Sequence, residues 1–145
     1  MLLPHDTHVL VIDGSRMQVL RNRGTTSAPD FEVLHARTQH NPPNRTLAAG
    51  APGRRFESMG TRRGAYEVTD LHQQREDDLG SEGLDFLSDH AGSSAPLILV
   101  APPRMLGFLR TRMPKDLHAR VIAEIDKDLT KFQPSEICAH LVDHA

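Results

Sequence analysis

The stretch "LHARVIAEIDKDL" (residues 117–129) supports two readings, and the fold turns on which of them holds. Leu117, Val121, Ile125 and Leu129 recur every fourth residue, the spacing of one helix face. Yet "RVIAEI" (Arg120 to Ile125) is β-branched enough to form a short strand. Local pattern leaves both open, so the surrounding chain has to decide.

Upstream, "HVLVIDGSRMQVLRN" (residues 8–22) reads as a β-hairpin. Val9 to Ile12 is a continuous apolar run, as in a strand buried on both faces. Asp13-Gly14 supplies the turn, through positive φ at Gly14 and the Asp side chain bonding its own backbone. Met17 and Val19 alternate with Arg16 and Gln18, which predicts a less buried second strand. "FEVLHARTQ" (Phe31 to Gln39) predicts a third, with Phe31, Val33 and His35 on one face. Asp70 and Gln73 form a capping-box-like pair, so a helix is expected from Asp70 to about His90. Gly80 and Gly83 inside it each cost about 1 kcal/mol relative to Ala. That helix therefore needs tertiary support from Leu79, Phe86 and Leu87. "PLILVA" (Pro96 to Ala101) is a second buried strand. Pro102-Pro103 ends it and opens a helix carrying Met105, Leu106, Phe108 and Leu109. Pro134 and Ser135 open a last helix, with Ile137 and Leu141 inward.

A chain of 145 residues suits one domain, residues 1–145, with a real core. No apolar run approaches the roughly 20 residues that span a bilayer, so no membrane association is expected. "MLLPHDTHVLVIDG" lacks the basic region and cleavage site of a secretory signal. The single Cys138 suits a reducing compartment, and a cytoplasmic location is expected. The net charge of −2 hides a division along the chain. Residues 41–66 carry +4 and residues 67–95 carry −7, a local polarity that the total conceals.

The +4 belongs to "NPPNRTLAAGAPGRRFESMGTRRGAY" (Asn41 to Tyr66), where Arg45, Arg54, Arg55, Arg62 and Arg63 lie among four glycines and three prolines. This composition predicts a basic Gly/Pro-rich loop extending from the core at about 41–66. The planar fork of arginine suits phosphate or carboxylate, which makes these five candidate anion or partner contacts. Arg104, after the proline pair, is a sixth. The competing reading pairs the arginines with the −7 segment, internally or across a homo-oligomer. Only Phe56 and Tyr66 are at hand for base stacking, so sequence-specific reading of a single strand is not expected.

Asp13, Asp70, Asp126 and Asp128 raise a two-metal nuclease reading, but "PLILV" runs into Ala101-Pro102 and not into a carboxylate. Asp13 is also accounted for by its turn, and Asp70 by its helix start. His140 and His144, near Cys138, lack the glutamate of the metalloprotease pattern. Ser15 lacks the setting of a hydrolase nucleophile. No catalytic residue, metal or cofactor is expected.

Taken in order, "LPHDTHVLVIDGSRMQVLRN", "NPP", "PGRRFESMGTRRGAYEVTDLHQ", "LVAPPRMLGFLR" and "RVIAEIDKDLT" resemble the bacterial host attachment protein family ("protein required for attachment to host cells") over nearly the whole chain. Gly80 and Gly83, and Leu71 where an aromatic is expected, depart from its pattern. That family is similar to the middle domain of archaeal and eukaryotic peptide-chain release factors and Pelota. The resemblance implies an RNase H-like α/β fold, a mixed five-stranded sheet in the order βββαβαβα. It also makes Arg120 to Ile125 a strand. In release factors the catalytic Gly-Gly-Gln loop lies between the third strand and the first helix. Residues 41–66 hold that position without a Gly-Gly-Gln, so peptidyl-tRNA hydrolysis is not implied. What the resemblance implies is a non-enzymatic cytoplasmic protein acting indirectly in attachment, through a regulatory or translation-linked partner. The alternative is an RNA- or ribosome-associated module binding through its arginine loop, and a metal-dependent nuclease stands third.

Overall fold

The structure, a computed structural model, describes residues 1–39 and 57–144, and of residues 57–70 the backbone alone. Strands β1 (His8–Ile12), β2 (Arg16–Asn22) and β3 (Phe31–Thr38) come first. Helix α1 (Glu57–His90), strand β4 (Leu97–Ala101), helix α2 (Pro103–Arg112) and a single turn α3 (Lys115–His118) follow. Strand β5 (Val121–Asp126) and helix α4 (Pro134–Asp143) complete the order. The strands form one mixed sheet, β3-β2-β1-β4-β5. β2 runs antiparallel to β1 and β3, while β4 is parallel to β1 and β5 to β4. This is the RNase H-like arrangement that the resemblance implies. The one-turn α3 is an addition to the expected order.

β1 and β4, paired at the centre, are buried at all five positions each. Helices cover both faces, which explains the unbroken apolar runs. On the first face Leu10, Ile12, Met17, Val19, Leu97 and Leu99 meet Leu79, Leu84 and Leu87 of α1 and Met105, Leu106 and Leu109 of α2. On the second, Val9, Val11, Leu20, Ile98, Val100 and Ile125 meet Ile137 and Leu141 of α4. α4 begins as expected at Pro134, closed by a capping box in which Glu136 accepts from the Gln133 N–H at 2.9 Å.

The strand is Val121–Asp126, one residue later than expected, pairing Leu97 with Val121 and Val100 with Ile125. The four-residue period that suggested a helix has another cause. Leu117 and Val121 belong to the first core cluster, Ile125 and Leu129 to the second. A register irregularity at Leu97/Ile98 leaves Ile122 as an extra, exposed residue on β5. This bulge carries the side-chain alternation from one face to the other. A second bulge corrects the expectation for β3. Leu20 pairs with Val33 and Val19 with His35, so Leu34 is extra. Val33 is exposed, whereas His35 stacks on Phe86 of α1 across the first face. Phe31, Val33 and His35 therefore do not share a face.

Helix α1 starts at Glu57, not Asp70, so the expected loop at 41–66 is helix from residue 57 onward. Asp70 lies inside the helix, and Gln73 bonds Asp77 one turn on, at 2.9 Å. Gly60 and Gly64 read as breakers, but two isolated glycines cost about 2 kcal/mol together, which a 34-residue helix absorbs. At 1.5 Å per residue the helix is about 51 Å long, far longer than the five-residue strand it crosses. Gly80 and Gly83 let it come close. A Cβ on Gly83 would stand 2.9 Å from Leu10 Cδ1, and one on Gly80 would stand 2.8 Å from the Phe108 ring. Leu79 and Leu87 supply the expected support, Leu84 adds to it, and Phe86 is half-buried.

Alanine should therefore act oppositely at two helical glycines. Gly83→Ala overpacks the core and should destabilise by about 1–3 kcal/mol, despite alanine's better propensity. Gly107, in α2, has nothing within 4 Å of its would-be Cβ, so Gly107→Ala should stabilise by about 0.5–1 kcal/mol. Urea denaturation of both variants checks the pair. Equal effects of the same sign would contradict the packing account.

Candidate functional site

Pairing brings the C-terminal ends of β1, β3, β4 and β5 to one edge of the sheet. Such edges are where open α/β sheets place their sites, because loops collect there above a rigid floor. β1 ends in the turn Asp13-Gly14-Ser15. Asp13 Oδ1 accepts the N–H groups of Ser15 and Arg16, each at 2.7 Å. The turn is closed by that carboxylate and not by positive φ at Gly14, since no described glycine has one. Gly14 instead makes room for α1: a Cβ there would lie 2.9 Å from Glu76 Cδ. The buried Thr130 hydroxyl lies 2.9 Å from Asp13 Oδ2 and 2.7 Å from Asp128 Oδ1, and its one proton serves one carboxylate at a time.

The same edge holds both described flanks of the arginine-rich segment. The Gln39 N–H donates to the Ser15 carbonyl at 2.7 Å, and Gln39 Nε2 donates to the Arg75 carbonyl of α1 at 2.9 Å. Arg104 donates to Glu76 at 2.8 Å, tying α2 to α1. Arg104, Arg16 and Lys127 are exposed around the edge. Arg62 and Arg63 fall within α1, where the backbone alone is described, and Arg45, Arg54 and Arg55 lie outside the described residues. Among the four aspartates, Asp13 and Asp128 converge on Thr130, Asp126 ends β5, and Asp70 sits within α1. Among the described residues no three His, Cys, Asp or Glu side chains are grouped to hold a metal. Cys138 is half-buried; burial pushes its thiol up, and the charge of Asp30 adds to this. His140 packs against the Phe132 ring. Among the described residues no helix is long and apolar enough to cross a membrane.

At the opposite end of the sheet an open groove of about 390 Å³ was missed by sequence reasoning. Asp6, His8, Arg21, Glu32 and His90 line it, scattered over four elements and loops. Arg21 donates from Nε to Asp6 at 2.6 Å and from Nη1 to Glu32 at 2.9 Å. The Arg21 hydrogen bond holds the Asp6 carboxyl below its ordinary range, against opposing desolvation. The one clue in the sequence was His8, a histidine opening the buried run "HVLVI".

Comparison with known families matches residues 6–141 to bacterial archaeo-eukaryotic release factor family 12. The chain belongs to that family. Release-factor family 12 thus takes in the sheet, both edges and the arginine-rich segment. No curated protein matches the chain significantly. Among solved structures, the ethanolamine utilization protein EutJ from Carboxydothermus hydrogenoformans is similar, with 15% identity and a TM-score of 0.41. The likeness covers 87% of this family 12 chain and 47% of EutJ, so the chain spans about half of that protein's length.

Two substitutions test these local assignments. Asp13→Ala removes an acceptor from two backbone N–H groups and should cost about 1–3 kcal/mol, while Asp13→Asn, which keeps an oxygen, should cost much less. Chemical denaturation reads both, and equal losses would remove the turn-closing role. Asp6 is a pH test. Its folded pKa is lowered, so its contribution is present above the unfolded value near 3.8 and is lost as pH falls through the lower folded value. Partial exposure holds the effect below about 1 kcal/mol. Asp6→Asn also tolerates the left-handed φ of 71°. It should lower stability at neutral pH and lose less than the parent between pH about 5 and 2. Parallel acid profiles would contradict the Asp6–Arg21 assignment.

Proposed function

We propose that this family 12 chain is a one-domain, translation-linked module that associates with RNA or the ribosome through Arg45, Arg54, Arg55, Arg62 and Arg63. What supports this is where the chain leaves and rejoins the sheet. Gln39 is bonded to the β1–β2 turn and to α1, so the arginine-rich segment follows β3 from the C-terminal edge, the position at which the sequence resemblance puts the release-factor loop. Residues 41–66 have no Gly-Gly-Gln, so the role proposed is binding, without peptidyl-tRNA hydrolysis. Attachment to host cells, the property that names the family of the sequence resemblance, would then arise indirectly through a cytoplasmic regulatory or translation-linked partner.

The competing account pairs the arginines with the acidic segment, within one chain or across a homo-oligomer. Glu76 is already engaged by Arg104, and Glu82 by Arg37 and His35. Those two of the segment's eight acids have other cations, which leaves fewer of them for the arginines.

Replacing Arg54, Arg55, Arg62 and Arg63 together by Ala should abolish co-sedimentation with ribosomes at moderate salt and leave the melting temperature nearly unchanged. For single-stranded RNA, each neutralised phosphate contributes about 0.7 to the slope of log affinity against log salt, so losing four contacts should flatten it by about 3. Unchanged binding with a melting temperature several degrees lower would make the arginines structural and end the proposal.

A further inference from the structure

The groove at the N-terminal end of β1 has the parts of a base-binding site, independent of the arginine-rich segment at the other edge. Phe86 and His90 are one helical turn apart on α1, so their rings lie one above the other. Their centroids are 4.1 Å apart and the planes differ by 11°. The β3 bulge brings His35 onto the other side of Phe86, at 4.7 Å and 10°. Three near-parallel rings thus form a stack ending in His90, an exposed residue on the groove wall.

The polar groups of the groove set what would lie against that platform. His8 is 2% exposed, and its Nδ1 stands 2.7 Å from the Asp6 carbonyl. A carbonyl only accepts, so Nδ1 carries the proton and Nε2 is a lone-pair acceptor. Nε2 has no partner among the described residues, nor is it among their sealed, unbonded atoms; its access is through the groove that His8 lines. His90 is held in the same tautomer, with Nδ1–H to the Phe86 carbonyl at 3.2 Å. Arg21 spends Nε and Nη1 on Asp6 and Glu32, and Nη2 remains as a donor. Arg23, 3.7 Å from Glu32, is held more closely by Asp30 at 2.8 Å, so two arginines face three carboxylates and the set carries one net negative charge. A flat ligand that donates one N–H to His8 and accepts from Arg21 matches this set. A cation would meet Arg21, and an anion would meet Asp6 and Glu32.

We propose that this groove binds an amino-bearing nucleobase, adenine or cytosine in type, stacked on His90 with its exocyclic amine donating to His8 Nε2. The base comes either from a free nucleoside or from an unstacked position in an RNA strand. A pocket of about 390 Å³ is at the small end of ligand sites, in keeping with a single base and its sugar.

Adenosine, cytidine, N6,N6-dimethyladenosine and a short oligoadenylate are titrated into the isotope-labelled full chain, with the signals of His8, Leu34 and His90 followed by NMR. Adenosine or cytidine should shift these signals, and N6,N6-dimethyladenosine, whose amine has no N–H, should bind about tenfold more weakly. His90→Ala removes the platform and should weaken binding about tenfold, while His90→Phe, which still stacks, should retain it. His8→Asn keeps a donor for the Asp6 carbonyl, but its own acceptor, Oδ1, lies one bond nearer the backbone than Nε2, and it should erase the preference for adenosine over N6,N6-dimethyladenosine. Shifts by nucleosides alone identify a free nucleoside as the ligand; His90-dependent shifts by the oligonucleotide only identify a strand. Each result should persist in the variant lacking Arg54, Arg55, Arg62 and Arg63, which separates this site from the ribosome proposal. No shift at His8 and His90 with any probe, or shifts indifferent to His90→Ala in a folded variant, would overturn it.

Discussion

The distance between α1 and the sheet governs most of this molecule. Gly83 allows the helix backbone to ride against Leu10 of the central strand, and Gly80 admits the Phe108 ring of α2. A methyl group at Gly83 would press on the Leu10 side chain, and one at Gly80 would displace the Phe108 ring. At this close setting one helix serves both ends of the sheet. Its Glu76 meets Gly14 and Arg104 at the C-terminal edge, and its Phe86 and His90 form a wall of the groove at the other. The two ends therefore share one element, held by Leu79, Leu84 and Leu87.

Each end has its own chemistry. The C-terminal edge is a frame of short, charge-assisted bonds, with Asp13 closing the β1–β2 turn and Gln39 fixing the last described residue before the arginine-rich segment. Such a frame fixes the chain as far as Gln39. At the N-terminal end Arg21 and Arg23 are set against Asp6, Asp30 and Glu32. Its character comes from stacked rings and imidazole lone pairs. Family 12 membership fits the first end with a translation-linked role.

Parts of this were legible in the sequence because period and burial agreed. The apolar runs of β1 and β4 are central strands, and the prolines at 103 and 134 open α2 and α4. Bulges defeated the pattern elsewhere. The extra Ile122 placed Leu117 and Val121 on one face and Ile125 and Leu129 on the other, imitating a helical repeat. Only the family resemblance made that piece a strand. The extra Leu34 turned His35 away from Val33 by the same device, and hid the ring stack. The start of α1 was missed because Gly60 and Gly64 were weighed as breakers, although the helix is long enough to carry them. Of the six candidate arginines, Arg104 is described at the expected edge, already paired with Glu76. The groove was illegible because its residues are distant in sequence and no motif joins them.

Hydrogen exchange of the chain alone and with ribosomes tests the central claim most directly, that the C-terminal edge and its arginine-rich segment are the docking surface. Slower exchange is expected within residues 40–70 and at the β1–β2 turn, with β5 and α4 unchanged. Protection confined to α4 and β5, with residues 40–70 exchanging as in the free chain, would contradict the account.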